Sequence, residues 1–90
     1  MFMEPGMLAR SKAGRDKDCI YVIISVNDEY VYLADGVKRS VSNLKKKNRR
    51  HVQIIYKMQC EDCTDDAAIR ETIQSYIQKA HPAARMQRHS

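Results

Sequence analysis

The chain contains no tryptophan, one phenylalanine and five tyrosines, and aromatic residues make up only 7% of it. A surface that stacks on successive unpaired bases therefore has little aromatic material to draw on. Tyr21, Tyr30, Tyr32 and Tyr56 lie in apolar, strand-like segments, where such rings more often complete a small core. No run of about 18 apolar residues occurs, so no membrane-spanning helix is expected. The opening Met1-Phe2-Met3-Glu4-Pro5-Gly6 lacks a basic flank ahead of an apolar core, so no signal peptide is expected and the protein is placed in the cytoplasm. Three cysteines, Cys19, Cys60 and Cys63, are an odd count without a secretory context, which argues for reduced thiols rather than a disulfide frame. Acid is locally missing too: no Asp or Glu stands between Val37 and Cys60.

What is present is a basic chain of 90 residues with a formal charge of +5 and a pI near 9.3. That length makes one domain with a modest core, about enough for a compact barrel or sandwich with a terminal helix and too small for a deep substrate pocket. The charge points to a polyanionic partner, either nucleic acid or an anionic membrane.

Glu4-Pro5-Gly6 reads as a turn that feeds a first strand around Met7 to Lys12. The charged stretch Ser11 to Asp18 follows as a displayed loop. Cys19 to Val26 is dense in β-branched residues and nearly all apolar, which predicts a central strand. Tyr30 to Ala34 alternates with period two, and Asp35-Gly36 suits the positive φ of a two-residue hairpin, so Tyr30–Ala34 is expected to pair with Val37–Val41. Lys45 to Arg50 carries five cations in six residues and reads as a mobile loop unless an anion organises it. His51 to Met58 alternates again, with Val52, Ile54, Tyr56 and Met58 on one face, as a closing fifth strand. Thr64-Asp65-Asp66 offers a cap and negative charge for a helix over Asp65 to Lys79, with Ile69, Ile73, Tyr76 and Ile77 forming its apolar stripe. His81-Pro82 ends that helix, and residues 83–90 read as a disordered basic tail. The expected organisation is thus a β domain over 1–60, a helix over 61–80 packed on it, and a tail over 81–90.

Two segments carry candidate chemistry. In the charged loop, Lys12, Arg15 and Lys17 are candidates for phosphate contact, with Gly14 allowing close backbone approach. The acid-free segment adds Lys38, Arg39, Lys45, Lys46, Lys47, Arg49 and Arg50. Cys60-Glu61-Asp62-Cys63 has the spacing of half a zinc site, but no second pair completes it, so no metal is expected. No Ser/His/Asp order, paired carboxylates or helix-opening glycine-rich loop can be assembled, so neither catalysis nor a cofactor is expected.

The order Pro5-Gly6-Met7-Leu8-Ala9-Arg10-Ser11-Lys12-Ala13-Gly14-Arg15-Asp16-Lys17, then Tyr21-Val22-Ile23-Ile24, then Val31-Tyr32-Leu33-Ala34-Asp35-Gly36, then the basic run into His51-Val52, resembles the small bacterial KOW-domain RNA-binding proteins. These are similar to the KOW barrels of large-subunit ribosomal proteins. The resemblance spans about residues 4 to 56. It implies a mainly β fold, a five-stranded SH3-like (KOW) barrel with one C-terminal amphipathic helix, whose KOW loop contacts RNA. It departs from the family at Asp18, where such proteins commonly have glycine. The function it implies is a non-catalytic RNA-binding module, ribosomal or ribosome-associated, that holds phosphates through the KOW loop and a basic loop, with ribosomal proteins as further partners and no membrane. The rival expectation is a protein-interaction adaptor of the translation or transcription machinery without direct RNA contact.

Overall fold

The computed structural model describes residues 3–80. Five strands, β1 (Met7–Ser11), β2 (Ile20–Val26), β3 (Tyr30–Ala34), β4 (Lys45–Asn48) and β5 (Val52–Gln59), are followed by one helix, α1 (Asp66–Ala80). The strands form one antiparallel sheet in the order β4-β3-β2-β1-β5. The tail expected over 83–90 lies outside the described residues.

The middle of the sheet is buried on both faces, which is why β2 is apolar almost throughout. On one face Met7, Ala9, Tyr21, Ile23, Val31, Leu33, Val52 and Ile54 pack together. On the other, Leu8, Val22 and Ala34 meet Cys60 and the helix residues Ile69 and Ile73. Asp65 starts that helix: its carboxylate accepts the Ala68 N–H at 3.3 Å, satisfying one of the open donors of the first turn, and its carbonyl accepts the Ile69 N–H at 3.0 Å as the first bond of the helical ladder. Burying Ile69 and Ile73 contributes roughly 1.5–3 kcal/mol each, which is what holds α1 on the sheet.

The structure corrects the expected barrel. β4 and β5 are the two edges of an open sheet and no ladder joins them, so the closed SH3-like barrel implied by the KOW resemblance is not formed, and with it falls the KOW identity. A 3₁₀ turn, Arg49–His51, carries the chain between the two edge strands, tied by Arg49 N–H to Glu29 O and by the Lys12 N–H to His51 O.

Two further expectations change. Val37–Val41 is not a strand. Asp35 Oδ1 accepts the N–H groups of Val37 and Arg39, and the Asp35 and Gly36 N–H groups both turn to Arg39 O, so the backbone bonds a hairpin would use are spent inside a compact loop. That loop then docks on α1: Arg70 donates to Gly36 O at 2.8 Å, and Val41 N–H to the Asp66 carboxylate at 2.9 Å. The partner of β3 is instead the basic run, with Leu33 opposite Lys45 and Val31 opposite Lys47. In β5 the pairing with β1 jumps from Leu8–Ile55 to Met7–Gln59, and this irregularity leaves Tyr56 66% exposed rather than inward beside Val52 and Ile54.

Candidate functional site

The loop between β1 and β2 is built around an inward-facing carboxylate. Gly14 (φ 86°) and Asp18 (φ 72°) take left-handed backbone conformations, and Asp18 N–H closes the loop on Ser11 O at 2.8 Å. Aspartate tolerates this region better than most residues, which lets it stand at position 18. Between them Asp16 turns in and accepts from Ser11 Oγ at 2.9 Å, Tyr21 Oη at 3.0 Å and Lys47 Nζ at 2.9 Å, while Lys45 Nζ lies 3.7 Å away. Lys47 Nζ also donates to Ala13 O at 3.0 Å. Burial works against the Asp16 charge, but the bonds from Lys47, Ser11 and Tyr21 and the lysine charge outweigh it and hold the carboxyl at a pKa of about 2. Burial, and then the same carboxylate, push the Tyr21 phenol well above its ordinary range.

Alternation along β4 explains the sorting of the three lysines. Lys45 and Lys47 point to the side of the sheet that carries Asp16, and Lys46 points the other way, its ammonium 4.1 Å from the centre of the Tyr30 ring. The run is therefore not a solvated loop, and Lys47, with 11% of its side chain exposed, is a structural residue as well as a charge.

Six of the eleven candidate residues line one cleft of ≈ 690 Å³: Gly14 and Arg15 from the first loop, Lys38 and Arg39 from the loop after β3, and Lys45 and Lys47 from β4. Five of these are cations, set against two carboxylates, Asp16 and Asp35, both already occupied by donors of the fold. Arg15, Lys38 and Arg39 make no hydrogen bond or ion pair through their side chains with other described residues, so their charges face the cleft unspent. The remaining candidates do not line it. Lys12 and Lys17 are exposed, Arg50 is exposed on the 3₁₀ turn, Lys46 lies over Tyr30, and Arg49 donates to Asn27 O at 3.1 Å.

Sequence reasoning missed Asp16, Tyr21 and Ser11 as the support of this site. One signal was available: Ser11 is a polar residue ending an apolar strand, and it is fully buried. Cys19, Cys60 and Cys63 are free thiols; Cys60 donates to Asp62 O at 3.4 Å and joins the helix-side core with Cys63 beside it. Among the described residues no three metal-ligating side chains converge, and no helix is long and apolar enough to cross a membrane. Compared with known proteins, the chain matches no family model and no curated protein.

Proposed function

We propose that the protein is a non-catalytic RNA-binding module that takes the phosphate backbone into the cleft between the first loop, the loop after β3, and β4. The observation that carries this reading is the convergence of Arg15, Lys38, Arg39 and Lys45 from three separate segments, beside two carboxylates of which Asp16 is paired with Lys47 and Asp35 is taken up by backbone N–H groups of its own loop. Like charges gathered in this way repel one another, and a phosphate chain removes that cost while releasing its own counterions. The Asp16–Lys47 pair fixes the first loop against β4, so the two segments that carry Arg15 and Lys45 are held together before the ligand arrives. RNA held through its phosphates is the proposed ligand class, and a cytoplasmic location, in keeping with three free thiols, goes with it.

The test is salt-dependent binding of a structured RNA. Arg15→Ala with Lys38→Ala and Arg39→Ala is expected to weaken binding across sequences and to lower the slope of log K against log salt by about 2–3, near 0.7–0.9 for each phosphate no longer neutralised. A parent protein whose affinity hardly varies with salt would point to a protein partner merely steered by charge, and would overturn the reading.

A further inference from the structure

The basic cleft does not end at its own rim. Cys19, Asp35 and Val37 line it and also line a second groove of ≈ 740 Å³ on the helix side of the same loops. This groove is apolar, walled by Ile20, Ile73 and Tyr76 and edged by Val37 and Ile77. Val37 is 70% exposed and Ile77 42%, the only large aliphatic side chains left so open among the described residues. Charge changes across the shared divide. The cleft holds five cations against two carboxylates, whereas the groove sets Arg10 and Arg70 against Asp18 and Asp35 and carries no net charge. A phosphate is favoured in the first and gains nothing in the second. An uncharged planar group with apolar faces and polar edges is favoured in the second, where the Arg70 guanidinium, fixed by its bond to Gly36 O, and the Gln74 amide offer donors beside the aliphatic wall.

The geometry points to a single-stranded RNA as the ligand, its backbone in the basic cleft and an unpaired base turned over the Val37 divide into the groove formed with α1. This deepens the phosphate-binding reading and rests on it. The groove lies beside the phosphate site, where an unstacked base can turn out of its strand, whereas the bases of a duplex are paired and stacked inside and cannot enter. Contact with apolar faces is tolerant of sequence, so the groove selects for strandedness more than for base identity.

Fluorescence anisotropy with a mixed-sequence single-stranded RNA of about 12 nucleotides, the same strand in duplex form, an abasic strand of equal length and inorganic polyphosphate tests this. The intact single strand is expected to bind on the order of 5- to 100-fold more tightly than the abasic strand, the gain from one base seated in the groove. Gln74→Ala with Ile77→Gln, both exposed, both uncharged and both lining the groove but not the cleft, is expected to abolish that advantage while leaving polyphosphate binding and the salt slope unchanged. Equal binding of intact and abasic strands, or of single strand and duplex, overturns the inference and leaves the phosphate reading standing, since polyphosphate is still held. Failure of every polyanion to bind overturns both. If the double variant loses an acidic amphipathic peptide and keeps RNA, the groove belongs to a protein partner and the inference is again overturned.

Discussion

Replacing Asp16 by alanine removes the acceptor shared by Tyr21 Oη, Ser11 Oγ and Lys47 Nζ. Ser11 and Lys47 each keep Ala13 O as a partner, but Tyr21 Oη is left without one, which costs about 1–3 kcal/mol. The carboxylate itself contributes through its lowered pKa. The difference between the ordinary 3.8 and about 2, at about 1.4 kcal/mol per pH unit, sets an upper limit near 2.5 kcal/mol. Its side chain is 13% exposed, so solvent screening reduces this to ~1–2 kcal/mol. Together these give a destabilisation of about 2–5 kcal/mol at pH 7, a fall in Tm on the order of 10–40 °C for a domain of this size. The sign with pH follows from the depressed value: the contribution of the charge is fully present above 3.8 and is lost as pH falls through about 2. Urea denaturation of parent and Asp16→Ala between pH 7 and pH 2 is the assay. The gap between the two proteins should narrow only below about pH 4. A destabilisation under about 0.5 kcal/mol at pH 7, or a gap that does not change with pH, would refute the view of Asp16 as the ionised support of the loop.

Gly36→Ala tests the docking of the loop after β3. A Cβ there would meet the Asp66 carbonyl oxygen and lie 2.8 Å from Arg70 Cγ, at φ 78°, so a destabilisation of about 2–4 kcal/mol in denaturant unfolding is expected; a near-neutral variant would show the loop is not seated on α1. Asp18→Gly removes a left-handed non-glycine residue and should raise stability by about 1 kcal/mol and tighten RNA binding, read by melting and by anisotropy.

The amino-acid sequence was enough to place β1, β2, β3, β5 and α1, because their apolar periodicity, their β-branched content and the Asp65 cap are local properties that survive in any tertiary setting. It also located the loop over Ser11 to Asp18, while the positive φ at Gly14 and Asp18 came only with the structure. The fate of Lys45-Lys46-Lys47 was not legible, since three identical side chains carry no alternation; only pairing with β3 decides that one lysine stacks on Tyr30 while its neighbours turn to Asp16. Asp35-Gly36 has the composition of a hairpin turn, and what redirects it is a partner thirty-four residues away, Arg70 on the helix. Closure of the sheet was likewise beyond local pattern, because it depends on whether β4 and β5 find each other's backbone groups, and here they remain separate edges. The basic cleft has the same character: its charges were evident along the chain, but Arg15, Lys38 and Lys45 become one site only when the loops and β4 meet around the Asp16 carboxylate.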